Sequence, residues 1–209
     1  MRSCAYLCRM IRFFFWVVVS LMVVQIPVQA AISLVSNLGN AGAATVIFSP
    51  GSVYQSFQVG SSGATISSVN LAFGSVANPT GVRVSLLSDN SSAPGASLGN
   101  FSLDGLPASI SGGSPAFTGS FNLLANTRYW IEVVNTAGGQ SDISYTTDVS
   151  ETGQTGWSMG NSFLWDFGAV TSGSIRMAIT GTPSSVPEPS SITLLALGLG
   201  ALAFHRRRS

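Results

Sequence analysis

The sequence predicts an all-β fold: a single antiparallel β-sandwich of jelly-roll type, flanked by an N-terminal signal peptide and a short C-terminal hydrophobic helix. Three observations predict it. Apolar residues alternate with polar or small ones over short runs, turn-forming clusters recur between the runs, and no window of about twelve residues carries a helical stripe.

The alternation is clearest in three places. Val69, Leu71 and Phe73 form one set, Val82, Val84 and Leu86 a second, and Ile175, Met177 and Ile179 a third. A period of two turns one set of side chains to a core and the other to water. In "RYWIEVV" both faces carry large residues, Tyr129, Ile131 and Val133 on one and Trp130 and Val134 on the other. That strand is expected at the centre of a sheet, covered on both sides.

Between the runs lie "VGSSGA", "SVANPTG", "SDNSSAPG", "ISGGSP", "NTAGGQ", "ETGQTG" and "VTSGS". Each supplies Gly for positive φ, Pro for a preset φ, or Asn and Asp that bond their own backbone. Regular short strands with such turns give about eight to ten strands in one domain. "TGTPSSVPEP" reads as the linker leaving it.

Composition places this domain outside the ordinary cytosolic range. Charged residues are 8% of the 209 and lysine is absent, against roughly 25% charged in typical soluble domains. Solubility falls to Ser, Thr, Asn, Gln and 23 glycines, a composition typical of exported bacterial surface proteins.

The N-terminus agrees. Arg2, Arg9 and Arg12 precede the apolar run Phe13 to Val24, which gives way to "QIPVQA". This is the pattern of a secretory signal peptide over residues 1–30, read by the Sec translocon, with Val28-Gln29-Ala30 as the small-x-small site and cleavage between Ala30 and Ala31. The alternative, an uncleaved anchor, meets a length problem, because a run of about twelve residues does not cross ~30 Å of hydrocarbon. Cys4 and Cys8 both lie in the removed segment. The mature chain then has no thiol and relies on burial for stability.

The C-terminus reads in three parts. Val186-Pro187-Glu188-Pro189 is held extended by its prolines, as a protease or transpeptidase cleft requires. Ser190 to Phe204 carries no charge; as a helix it would reach ~22 Å, short of the ~30 Å core, so it halts translocation without anchoring for good. Arg206, Arg207 and Arg208 hold the end in the cytoplasm. The expected organisation is therefore a β-domain over 31–182, a linker with the Pro-Glu-Pro motif over 183–189, a short membrane helix over 190–204 and a basic tail over 205–209.

"VPEPSS", the short apolar run and "HRRRS" together resemble the PEP-CTERM sorting signal of Gram-negative bacteria that make exopolysaccharide. The resemblance implies transient inner-membrane insertion and cleavage near Pro187 to Pro189 by exosortase, a membrane protease-transpeptidase. It also implies delivery to the outer surface or the extracellular matrix. Inside the domain, "YQSFQVGSSGATISSVNLAF", "GVRVSLLSDNSSAPGASLGNFSL" and "FNLLANTRYWIEVV" resemble the choice-of-anchor R module, a β-rich bacterial surface domain, over Val53 to Thr180. This chain has Ser92 and Ala93 where that pattern carries a further glycine before Pro94-Gly95. The module implies no catalytic residues.

Catalytic chemistry is narrowed by subtraction. The only histidine, His205, lies in the tail, so Ala31 to Ser185 contains no His, Cys or Lys. Ser-His-Asp triads, Cys-His pairs, Ser-Lys dyads and histidine-based zinc sites lack their parts. Carboxylates remain: Asp89, Asp104, Glu132, Asp142, Asp148, Glu151 and Asp166. They read as solvated loop residues; the alternatives are a glycosidase pair or a Ca²⁺ clip from Asp142, Asp148 and Glu151. No catalytic residue, no cofactor and no resident metal is expected.

Over Ala31 to Ser185 three arginines face those seven acids, a net charge of −4, which excludes a nucleic-acid partner. Trp157, Phe163, Trp165 and Phe167 form an aromatic cluster. Trp157 and Trp165 are candidate glycan-binding residues, with a core plug as the alternative; an open indole face distinguishes the two. The role expected is a non-catalytic protein of the cell surface or matrix, associated with exopolysaccharide in a biofilm. The alternative is a carbohydrate-binding module recognising exopolysaccharide through exposed tryptophans.

Overall fold

The computed structural model describes residues 30–42, 44–48, 51–103, 109–137, 140–148, 150–165 and 170–184. The chain divides after Ala30 into Met1–Ala30 and Ala31–Ser209, and the description below concerns the second unit. The expected signal peptide, sorting motif, membrane helix and basic tail lie outside the described residues, apart from Ala30 and Ala31.

The described chain is all-β. Its strands begin with β1 (Ile32–Ser36), β2 (Ala44–Ile47), β3 (Ser52–Gln58), β4 (Ala64–Leu71) and β5 (Phe73–Val76). A single 3-10 turn at Pro79–Gly81 leads into β6 (Val82–Asp89), β7 (Pro94–Leu103), β8 (Ile110–Gly113) and β9 (Ala116–Leu123). Then come β10 (Arg128–Asn135), β11 (Ser141–Thr146), β12 (Thr152–Gly153) and β13 (Ser158–Trp165). The last are β14 (Val170–Ser172), β15 (Ser174–Ile175) and β16 (Met177–Pro183).

Eleven strands join in the order β12-β1-β16-β4-β9-β7-β6-β10-β3-β13-β14, and a second sheet runs β15-β11-β5-β8 with β2 also paired to β11. The long sheet is curled. Phe117 of β9 meets Phe73 of the short sheet at 6.2 Å, and Phe163 of β13 meets Tyr145 of the short sheet at 5.4 Å. Since β7, β6, β10 and β3 stand between β9 and β13, these two strands both reach the short sheet only if the long one curls around it. Right-handed strand twist accumulated over many strands supplies that curvature.

The two sheets are not wholly separate layers. At Ala72 the chain passes from β4 to β5, and at Arg176 from β15 to β16. These corners are bonded to each other: the Ala72 N–H donates to the Arg176 carbonyl, Arg176 N–H to Ser144, and Ser144 N–H to Ala72, each at 2.8–2.9 Å. Strands that switch sheets at a bend make the corners of such folds. Sixteen strands are thus seen among the described residues against about eight to ten expected: the bends at Ala72 and Arg176 divide two runs that alternate without a break in sequence, and short strands such as β2, β8, β12 and β14 supply others. Val69-Leu71-Phe73 and Ile175-Met177-Ile179 each cross a corner, and all six side chains are buried.

The alternating residues fill one core, with Leu34, Val53, Ile66, Val69, Val84, Ile131, Val133 and Ile179 at 0% exposure. At roughly 25 cal/mol per Å² of apolar surface, this burial is the main favourable contribution to folding. The strand "RYWIEVV" is central, bonded to β6 on one edge and β3 on the other. Its cover is asymmetric, however: the core face is sealed, whereas Glu132 and Val134 on the outer face remain part-exposed. Pro183, expected as the first residue of the linker, ends β16, which pairs with β4 as far as Pro183 opposite Ala64. Pro183 stands at the strand end, where a missing N–H is tolerated.

Candidate functional site

On the outer face of the long sheet, β3, β10 and β13 enclose a trough of about 570 Å³, within the usual range of ligand sites. Its relief follows from side-chain size. Ser56, Ser158, Gly160 and Ser162 are short, whereas Gln58, Arg128 and Trp130 rise beside them. Pairing brings these together: Gln58 is opposite Arg128 and Ser158, and Ser56 is opposite Trp130.

Gly160 sits in an irregularity of β13, where the register against β3 jumps between Met159 and Phe163. A Cβ there would collide with the Ser56 hydroxyl, so glycine keeps the floor open. Gln55 fixes this bulge from inside. Fully buried, its Nε2 donates to the Gly160 carbonyl at 2.8 Å and its Oε1 accepts the Ile175 N–H at 2.9 Å. One amide therefore ties β3 to β13 and to the short sheet, satisfying groups that burial would otherwise penalise.

The walls are fixed too. Glu151 accepts the Met159 N–H at 2.7 Å; burial pushes its carboxyl above the ordinary carboxylate range, partly offset by that bond. Trp130, 5% exposed, donates its indole N–H to Asp89 Oδ1 at 2.8 Å. That bond is the main reason Asp89 is held below its usual range, with burial opposing and the Ser92 N–H and Arg128 assisting. Arg128 donates to the Ser92 hydroxyl at 2.8 Å. Ser92 is placed there by a two-residue turn in which Ser91 and Ser92 have φ of 53° and 71°, closed by mutual bonds between Asn90 and Ala93. Both values lie in the left-handed region that such hairpin turns demand.

Residues singled out by sequence fall elsewhere. Trp157 is 8% exposed and stacks on Phe57 at 6.3 Å and 7°, which stacks in turn on Tyr129 at 6.0 Å. An indole so enclosed presents no open face to a sugar ring, so at Trp157 the structure answers for the core plug instead of the candidate glycan platform. Trp165 lies in β13 with its backbone opposite Val53; its side chain is outside the described residues, as is Phe167. Phe163 is fully buried. Ala30 and Ala31 are exposed, just before β1. Val186, Pro187, Glu188, Pro189, Arg206, Arg207 and Arg208 lie outside the described residues.

The carboxylates are dispersed. Asp142 accepts the Ser75 hydroxyl at 3.1 Å, Asp148 accepts the Ser150 N–H at 2.9 Å, and Glu151 takes Met159. The Ca²⁺ clip expected as an alternative is not assembled: among the described residues no three such groups gather as a metal site. Glu132 pairs with Arg83 at 3.7 Å, and Asp104 and Asp166 lie outside the described residues. Sequence reasoning missed Gln58, Arg128, Gly160 and Asn161 as a group. The signal available was the run of small residues in "SMGNS", but only pairing shows what stands beside it.

Residues 185–209 match the family model of the PEP-CTERM protein-sorting motif. That match begins two residues beyond the end of β16 at Pro183 and covers the tail alone. A comparison with curated proteins finds no match. The tail thus carries a C-terminal sorting signal of exported proteins that are anchored transiently in a membrane and processed by exosortase.

Proposed function

We propose that this chain is an exported, non-catalytic protein of the bacterial cell surface or extracellular matrix, associated with exopolysaccharide in a biofilm. The observation that carries the reading is the sorting motif at residues 185–209, placed directly after the last strand of a β-domain. An apolar segment too short for lasting residence in ~30 Å of hydrocarbon suits a disposable handle, and the basic end fixes its orientation. The curled sheet and its short partner are taken as a jelly-roll-like sandwich of choice-of-anchor R type. Its stability comes from a continuous apolar core and buried amides such as Gln55, without thiols.

The test is delivery. Replacing Pro187, Glu188 and Pro189 with alanine is expected to hold the uncut chain in the inner membrane, seen by fractionation and by mass spectrometry of its C-terminus. Unchanged surface delivery of the variant would refute the sorting role, and recovery of the intact tail from mature surface material would refute its removal.

A further inference from the structure

We propose that the trough between β3, β10 and β13 is a binding site for a sugar-type, polyhydroxylated chain. The inference rests on the surface reading only for the compartment in which such chains are met; the site itself is argued from its own chemistry.

A sugar hydroxyl both donates and accepts, so a site for it needs both kinds of group at close spacing. The trough has them. Gln58 and Asn161 each offer an amide donor and acceptor, Arg128 offers a planar set of donors, and Glu151 offers carboxyl oxygens. Much of this capacity is unused within the fold. The Gln58 amide makes only a long bond of 3.4 Å to the Val59 carbonyl, and Arg128 spends one nitrogen on Ser92. Among the described residues the Asn161 side chain makes no hydrogen bond, its backbone carbonyl alone being engaged, by the Gly173 N–H.

Charge points the same way. The lining carries one guanidinium, Arg128, and one carboxyl, Glu151, so no excess of either sign awaits a polyanion or a polycation. A phosphate-rich polymer would require a basic cluster that three arginines in the whole domain do not form. Gln58 and Arg128 project from paired strands and Glu151 is held by the Met159 N–H, so these groups are positioned before a ligand arrives.

The experiment uses the full chain, purified in detergent, on an array of immobilised neutral oligosaccharides with oligopeptide spots beside them. Saturable retention on glycan spots is expected. Arg128→Ala and Gly160→Leu, the second filling the floor, are each expected to weaken it about tenfold or more. Ser111→Ala, on β8 of the short sheet, is expected to change nothing. Circular dichroism accompanies each variant, and Asn161→Ala, a surface truncation, serves should Gly160→Leu fail to fold. Retention on no glycan, retention on peptides alone, or glycan retention indifferent to Arg128→Ala and Asn161→Ala each overturns the proposal. None of these outcomes touches delivery, which the Pro187 to Pro189 variant tests separately.

Discussion

The indole N–H of Trp130 and the Oδ1 of Asp89 meet at 2.8 Å, joining the middle of β10 to the end of β6. The bond satisfies a nearly buried donor with a charged acceptor, and it orients the same carboxylate that receives the Ser92 N–H at 3.2 Å. The strained turn, Arg128 and Trp130 on the walls of the trough are therefore linked through one aspartate.

Removing that acceptor has a defined cost. Asp89→Ala leaves the Trp130 N–H unpaired and is expected to lower stability by about 1–2 kcal/mol, read as a shift in the denaturant midpoint. Because the folded carboxyl titrates below its ordinary value, its contribution is present above the usual carboxylate pKa and is lost as pH falls through the folded value. Asp89→Asn is expected to flatten the acid limb of the stability profile. An unaltered acid limb would count against the bond.

The turn offers a gain. Two serines with positive φ are disfavoured there, and Asn-Gly is the preferred pair for such a hairpin. The double change Ser91→Asn with Ser92→Gly is expected to raise stability by about 1 kcal/mol, measured by thermal melting. A fall would show that the Ser92 hydroxyl held by Arg128 outweighs the strain.

Glu151 titrates in the opposite sense. Its carboxyl is raised by burial, so the ionised form is a burden that protonation relieves; wild-type stability gains as pH falls through the folded value toward the unfolded one near ~4.3. Glu151→Gln keeps an oxygen for the Met159 N–H. It is expected to exceed wild type at pH 8 and to converge with it at pH 4 in parallel melts.

Inside the fold, Gln55→Leu preserves size and removes the bonds to Gly160 and Ile175. Two buried backbone groups lose their partners, for an expected loss of roughly 3 kcal/mol. Trp157→Ala is expected to cost a similar ~3–5 kcal/mol, as for large aromatics removed from a core. A Trp157 variant that melts like wild type would return that ring to the surface.

By itself the sequence determined the all-β class, the strand residues that face the core and the sorting tail. Period-two alternation reports burial directly, since successive side chains leave a strand on opposite faces, and a sorting signal is read as a linear string. Tertiary structure alone decided the curl of the long sheet, the corners at Ala72 and Arg176, the enclosure of Trp157 and the trough itself. Alternation continues through a bend unchanged, so Val69-Leu71-Phe73 cannot reveal where one sheet ends. Burial of an aromatic depends on what lies across the core. The trough joins Gln58, Arg128 and Asn161 through pairings between strands distant in sequence, and such proximity exists only once those strands lie side by side.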